Sequence, residues 1–321
     1  MKENFAAKVE VYQPKIKIIG VGNCGMNAVN TVVEKHIGNV DLFVIHFDEK
    51  VLKSSMLDEQ QKIQIGEKIT NGQEANKKSN VGKKAEEISI DKIEEIVKDT
   101  DILFVVNGVS GGTEVTVSFI TELAKKQGAI NIVFAVTPTN VEGKRKNMYA
   151  EKALHEFMNE ESCIDAVINV SNERFIKLVD RKATLENVFN RANEEISRCI
   201  KALVDIFREE KGLISLKFKD FKKFMTNVGF TGIGISQKHK FEEQEAAIKE
   251  IMEYPLIRGS FESAEKVIIS IQGGSNLTLN FVHEIAKEIT NKIDENAEVM
   301  LSVQIVKTFS SDEFKIMVIT A

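Results

Sequence analysis

The chain reads as an α/β protein: a parallel sheet covered by helices on both faces, then a long helix, then a smaller α+β unit. Short, almost wholly apolar runs rich in β-branched residues recur along the first half, and each ends in glycine or polar residues. Amphipathic stretches of helical period separate them. A strand buried on both faces reads as a continuous apolar run rather than an alternation, so this rhythm points to parallel strands joined by helical crossovers. With 321 residues, 43% hydrophobic and 28% charged, the chain is long enough for one large or two ordinary domains with a real core.

Residues 1–14 read as a polar tail. The first strand is KIKIIGVG from Lys15, followed by an amphipathic stretch through Val33 and a second strand, VDLFVIHF, from Val40 to Phe47. DILFVVNG, Asp101 to Gly108, is a buried strand and leads into a helical pattern ending at Lys126. AINIVFAVT from Ala129, a helix to about Met158, and CIDAVINVS from Cys163 to Ser171 complete the α/β rhythm, and the first domain is set at 15–183. From Thr184 to about Arg208, Leu185, Val188, Phe189, Ala192, Ile196, Ile200, Leu203, Val204 and Phe207 fall at helical spacing. Thr184 is the expected N-cap, with Glu186 in the first turn. This helix, placed at 184–211, spans on the order of 35 Å and can bridge two domains. The last unit, 212–321, contains a glycine-rich strand, NVGFTGIGIS, and a helix from about Phe241 to Met252. KVIISIQGG, a helix from about Leu277 to Lys292, and two late, paired strands, AEVMLSVQIVK and EFKIMVITA, complete it.

Composition excludes several classes. Lysine plus arginine number 43 and aspartate plus glutamate 48, a net charge of −5, which makes general nucleic-acid binding a poor reading. Cys24, Cys163 and Cys199 fit neither a disulfide framework nor a zinc site, and His36, His46, His155, His239 and His283 show no ligand spacing, so no metal site is assigned. No apolar run is long enough to span a membrane and no signal core opens the chain, so the expected compartment is the cytoplasm.

Two glycine loops carry the chemistry. GVGNCGMNAV, Gly20 to Val29, follows the first strand and opens a helix. Glycines let a backbone approach a phosphate closely, and a helix N-terminus offers free N–H groups and positive potential. The same glycines also serve tight strand–helix packing, so both readings stand. No Gly-Lys-Ser/Thr ends the loop, so it is not a P-loop. NGVSGGTEVTV, Asn107 to Val117, places Gly108, Gly111 and Gly112 ahead of a helix with Thr113 near its cap. Two such loops converge on the crevice where open α/β sheets hold ligands. A Rossmann dehydrogenase is disfavoured, because the first loop lacks the usual spacing and His46 and Phe47 stand where an acidic residue would end the second strand.

The ordered set IKIIGVGNCGMNAVN, IQIGEKIT, DILFVVNGVSGGTEV, VEGKRKNMYAEKAL, VINVSNERF, FNRANEEISRCIKAL and GLISLKFKDFKKFM resembles the bacterial tubulin homologue FtsZ. The match is collinear, nearly gap-free and covers about Lys15 to Ala321. The resemblance implies a tubulin/FtsZ-like fold: a Rossmann-type GTP-binding α/β domain, a long central helix, and an α+β C-terminal domain with a mostly parallel sheet. It implies a GTPase that assembles head to tail, the loop after the central helix of one subunit completing the hydrolytic site of the next.

Carried over residue by residue, the resemblance is uneven. In the first loop Gly20, Gly22, Gly25, Asn27 and Ala28 match, while Asn23, Cys24 and Met26 replace glycines, and side chains there would crowd a backbone-only phosphate contact. Cys24 reads either as a reactive thiol at a helix N-terminus or as a small packing residue. The loop NGQEANKKSNVG keeps Ala75, Val81 and Gly82, with Glu74 and Asn76 in place of glycines. In SGGTEVT, Gly111, Gly112 and Thr113 survive, while Glu114 and Thr116 replace the later glycines of the family box. A carboxylate at 4 Å from a phosphate charge costs about 1 kcal/mol in water and about 4 kcal/mol at an effective dielectric near 20. Two readings of Glu114 are open: it faces solvent and favours the helix N-terminus, or its carboxylate occupies the anion position itself. At the base and ribose end Glu142, Asn172, Phe189 and Asn193 match, and Lys146 replaces an arginine, which reduces a bidentate fork to a point charge. Phe189 also fits ordinary core packing, and Asn193 also fits an exposed helix position. In the family's catalytic loop two aspartates polarise water; here GLISLKFKDF gives Ser215, Lys217 for the first aspartate, and Asp220 kept for the second. Losing a positioned acid–base group costs about 10²- to 10⁴-fold. Lys217 and Lys219 read either as solvated surface charges or as partners of a neighbour's phosphates or Glu114.

The expectation is therefore an FtsZ-like cytoskeletal protein with weak or absent GTP binding and little or no hydrolysis, assembling with itself or with an authentic FtsZ. GTP or GDP is the candidate cofactor, with magnesium only if GTP binds. No linker and tail of the kind that reaches membrane tethers is expected, hence no direct membrane contact. An active GTPase of cell division and a non-polymerising regulator are the alternatives.

Overall fold

The computed structural model describes residues 12–66, 90–110, 112–180, 182–207, 212–254, 256 and 263–321. Gly111 and the loop residues Glu74, Ala75, Asn76, Val81 and Gly82 lie outside them, as do residues 1–11 of the expected tail.

The first sheet is built as the apolar runs predict. Its strands are β1 (Ile16–Val21), β2 (Asp41–His46), β3 (Lys62–Gln64), β4 (Ile102–Gly108), β5 (Ile130–Thr137) and β6 (Ala166–Ser171). The helices of this half are α1 (Gly22–Glu34), α2 (Glu49–Lys53), α3 (Ile90–Val97), α4 (Glu114–Lys126), α5 (Lys144–Phe157) and α6 (Asn172–Ile176). Strand order is β3-β2-β1-β4-β5-β6-β8, β8 being Gly229–Phe230, and every pair is parallel. Both faces are buried. Ile16, Ile18, Phe104, Val106 and Ile132 pack with Met26, Val29 and Val32 of α1, while Ile19, Val21, Leu103, Val105 and Val133 pack with Ile93 of α3, Val117 and Ile120 of α4 and Leu154 of α5. The order reverses between β1 and β4, so the two glycine loops, which follow these neighbouring strands, meet at the switch point.

The long helix is α7 (Leu185–Asp205), 21 residues and roughly 30 Å. Thr184 caps it: its side chain accepts from the Asn187 N–H, Asn187 returns the bond to the Thr184 N–H, and Glu186 lies in the first turn. Val188, Ala192, Ile196, Ile200 and Leu203 bury one stripe in an apolar cluster that also holds Ile268 and Ile271 of the second sheet, so one core runs through α7. Polar contacts tie it further. Arg198 donates to the carbonyls of Ile235 (3.2 Å) and Ser236 (2.6 Å), and the Tyr254 hydroxyl donates to the buried carboxylate of Glu195.

Beyond α7 come β7 (Gly212–Ile214), α8 (Phe218–Met225), β9 (Gly232–Ile235), β10 (His239–Lys240), α9 (Gln244–Met252), β11 (Lys266–Gly273), α10 (Leu279–Thr290), β12 (Glu298–Ile305) and β13 (Glu313–Thr320). Three expectations are corrected here. The two late strands, β12 and β13, do not pair with each other but flank β11. The second sheet, ordered β10-β13-β11-β12-β7 with β9 also on β13, is not mostly parallel: β11–β12 is its one parallel pair among the described residues. A parallel pair needs a crossover of a dozen or more residues, which α10 supplies between β11 and β12; the short connection from Ile305 to Glu313 lets the chain reverse. NVGFTGIGIS is two strands, not one. Gly229–Phe230 joins the first sheet beside β6, Thr231 donates its N–H to the Val167 carbonyl, and Gly232–Ile235 joins the second sheet beside β13.

Candidate functional site

A cavity of about 450 Å³ opens at the C-terminal ends of β1, β2, β4, β5 and β6 and is closed on one side by α7. Its wall brings together residues far apart in the chain: Gly22, Asn23, Cys24, Asn27, Gly112, Thr113, Glu142, Lys146, Asn172, Phe189 and Asn193, all singled out from the sequence.

The first loop divides into two roles. At Gly22 the backbone takes φ +71, where L side chains are strained, and turns from β1 directly into α1. Gly20 and Gly25 do something else. A Cβ on Gly25 would stand 2.3 Å from the Val106 carbonyl oxygen, and one on Gly20 2.4 Å from that of Gly25, so these glycines bring α1 onto β1 and β4. Met26 is buried in the core. Gly25 and Met26 are therefore corrected: they pack on the sheet and do not line the cavity, because the first two turns of α1 present Asn23, Cys24 and Asn27 to it instead. The Cys24 thiol is pushed up to about 12, by burial first and by the Glu142 carboxylate second. It is a packing residue seated against Gly108, not a reactive thiolate.

The second loop leaves β4 at Gly108, and Ser110, Gly112 and Thr113 line the cavity. Glu114 is the first residue of α4, half-buried and outside the lining. Thr113, not Glu114, is the residue of this turn that lines the cavity. A carboxylate in the first turn still favours the helix dipole.

At the other end, Glu142 closes a short 3₁₀ turn, Asn140–Glu142, after β5. One oxygen accepts from the Thr139 N–H (2.9 Å) and hydroxyl (3.2 Å), and the other from the Lys146 ammonium (3.1 Å). Burial pulls the Glu142 pKa upward, but the Thr139 N–H and the Lys146 ammonium outweigh it and hold the carboxyl below its ordinary range. Asn172 begins α6, is 7% exposed, and its Oδ1 has no hydrogen-bond partner. A buried acceptor left unpaired at a cavity wall is open to a donor from a ligand. Phe189 and Asn193 come one turn apart on the same face of α7 as Ala192, facing the cavity. Phe189 is 39% exposed, too open for a core residue, whereas Asn193 is 8% exposed and not a solvated helix position.

The structure does not bring the expected catalytic loop to this cavity within one chain. Lys217 is the N-cap of α8, Asp220 lies in its first turn, and Lys217, Lys219 and Asp220 are all exposed. The loop leaves β7, an edge strand with Leu213 (61%) and Ile214 (38%) exposed. Among the described residues no cluster of three or more His, Cys, Asp or Glu is placed to hold a metal.

Sequence reasoning missed His46, Phe47 and Ser110 in the wall, and Asn107 behind it. His46 accepts the Asp48 N–H at Nδ1 (2.9 Å), which fixes its ring at the end of β2. Asn107 carried a readable signal, a lone amide in the apolar run ILFVVNG.

Residues 15–180 match the family model described as Tubulin/FtsZ family, GTPase domain, and residues 229–321 the model described as FtsZ family, C-terminal domain. The cell division protein FtsZ of Aquifex aeolicus (strain VF5) is 32% identical over 288 residues, covering 89% of this chain and 77% of that protein. FtsZ of Buchnera aphidicola subsp. Baizongia pistaciae (strain Bp) is 28% identical over 306 residues, covering 95% and 78%. Among solved structures, an empty FtsZ dimer from M. jannaschii superposes with a TM-score of 0.82 at 25% identity, covering 96% of this chain and 88% of that one.

Proposed function

Because this chain belongs to the tubulin/FtsZ family, we propose that it is a divergent FtsZ-like cytoskeletal protein. It assembles head to tail, with itself or with an authentic FtsZ, and holds guanine nucleotide weakly with little or no hydrolysis. The observation that carries this reading is Lys217, a cation at the exposed N-cap of α8 where the family resemblance expects a water-polarising aspartate. A charged ammonium accepts no proton from water, and Asp220 one turn on is left as the single acid of that pair.

The residues present fit GTP or GDP. The unpaired Asn172 Oδ1 offers an acceptor to a purine N–H, Asn193 a second polar group, and the open face of Phe189 a stacking surface. The starts of α1 and α4, at Gly22, Asn23 and Thr113, offer backbone N–H groups to phosphates. Magnesium enters only with a triphosphate. When bound, GTP supplies the phosphoanhydride; the chain's own part is to orient the base and hold the phosphates against two helix starts.

In this reading residues 15–183 hold the nucleotide, 184–211 connect, and 212–321 present the β7–α8 loop to the next copy, in the cytoplasm. That loop exposes apolar Leu213 and Ile214 beside the cations Lys217 and Lys219. A head-to-tail contact is heterologous and does not close, so filaments follow from geometry. The described helices include none long and apolar enough to cross a membrane.

The second reading, an active GTPase in division, draws on the exposed Asp220 and the well-lined base end of the cavity. A GTP titration on the purified chain and on Glu114→Gly, with phosphate release, sedimentation and electron microscopy, separates the two. Assembly with release near background supports the first; rapid, concentration-dependent release supports the second; a monomer under every condition, alone and with an authentic FtsZ, overturns the assembly claim.

A further inference from the structure

Asn107 is the sixth residue of β4 and is fully buried, in register with Val21 of β1 on one side and Ala135 of β5 on the other. A buried amide in an apolar sheet is costly unless its polar atoms are bonded. Its Nδ2 donates twice, to the Val21 carbonyl oxygen at 3.3 Å and to the Thr113 Oγ1 at 2.7 Å. Val21 is the residue from which α1 starts and Thr113 the one from which α4 starts, so one amide bridges the two strand–helix turns.

The arrangement departs from ordinary capping. Thr113 stands at the N-cap of α4, yet its side chain makes no capping bond to that helix and its oxygen is engaged by Asn107 instead. An accepting hydroxyl keeps its own proton to donate, and Thr113 lines the cavity. The Thr113 methyl lies 3.4 Å from where a Cβ on Gly22 would be, so the second turn rests directly on the first. Asn107 does not itself line the cavity, and its Oδ1 is buried without a partner. Core stability does not explain a side chain that leaves a buried acceptor unpaired; holding two turns together does.

We infer that Asn107 is a positioning residue that fixes the spacing of the two turns facing a ligand's phosphate groups, acting through Val21 and Thr113 without touching the ligand. This rests on the nucleotide reading of the cavity. Its consequence is selective: loosening the turns weakens the hold on phosphates and leaves the nucleoside end, at Asn172, Phe189 and Asn193, as it was.

The test uses the full chain, with Asn107→Ala, Thr113→Val and the double variant, each titrated with guanosine, GDP and GTP. The expected result is an affinity for GDP and GTP lower by about tenfold in either single variant. Thr113→Val removes the linkage and a wall hydroxyl together, so the double variant is expected to lose no more than Thr113→Val alone, and guanosine affinity stays within twofold of the parent. Amide hydrogen exchange on the ligand-free proteins is expected to quicken in Asn107→Ala at both turns together, residues 22–27 and 112–116. Equal losses for guanosine and GTP, losses that add in the double variant, or faster exchange at one turn alone would overturn the inference. If the parent binds none of the three ligands, the nucleotide reading fails, and the exchange experiment alone decides whether Asn107 ties the turns. If Asn107→Ala does not fold, Asn107→Leu, close in volume and without a donor, carries both measurements.

Discussion

Phe189 is the place to separate a ligand contact from a core contact. The residue satisfies the helical stripe of α7, yet 39% of it is exposed and the open part faces the cavity. A phenylalanine offers roughly 200 Å², so about 80 Å² of ring remains to be covered by a planar base. At about 25 cal/mol per Å² this is worth about 2 kcal/mol, or roughly 30-fold in affinity. The packed remainder, about 120 Å², sets an upper bound of about 3 kcal/mol on what Phe189→Ala costs in folding, since the unfolded chain already buries part of it. Titration of a fluorescent guanine nucleotide, alongside urea unfolding of the same samples, reads both quantities. Affinity within twofold of the parent, together with a stability loss above 3 kcal/mol, would show that the ring is core and that the cavity is not a base site.

Other perturbations test other parts. Gly25→Ala drives a Cβ to 2.3 Å from the backbone oxygen of Val106, which cannot rotate away, so unfolding is expected to become easier by 3 kcal/mol or so; a loss under 0.5 kcal/mol by urea titration would contradict the packing role. Lys217→Asp should raise phosphate release by about 10- to 100-fold in a manner that depends on protein concentration, measured by a coupled phosphate assay; no gain in assembled material would mean that Lys217 is not what limits turnover. Burial beside Arg198 lowers the Lys315 pKa to about 8. Below that pH the folded chain carries a half-buried charge; between about 8 and the unfolded value near 10.4 the unfolded state binds the extra proton, so this group makes stability rise with pH. Lys315→Met removes that rise, which the difference between the two pH–stability curves reads directly. Assembly through the β7–α8 loop should weaken as salt rises, since its lysines are exposed, and sedimentation at 0.05 and 0.5 M salt measures it.

Whatever depends on neighbours a few residues away was legible in the chain. The alternation of apolar runs with helical stretches announced β1, β4, β5 and β6 and the helices between them, and Thr184 announced the start of α7. The ordered motifs announced the family. Eleven cavity residues named from the chain do meet, because two glycine loops on adjacent strands must converge wherever strand order reverses. What the chain did not reveal depends on partners distant in sequence. Gly25 has the same local context whether it meets a phosphate or the Val106 carbonyl, and the close seating of α1 against β4 decides for the carbonyl. Glu114 and Thr113 are adjacent, yet the start of α4 puts only Thr113 in the wall. The glycine-rich stretch around Thr231 has one local pattern, and it divides between two sheets because β6 and β13 each offer an unpaired edge on either side of that residue. Side-chain period and propensity set which elements form; which atoms then face each other is fixed by how those elements pack, and that information lies in no single stretch of the chain.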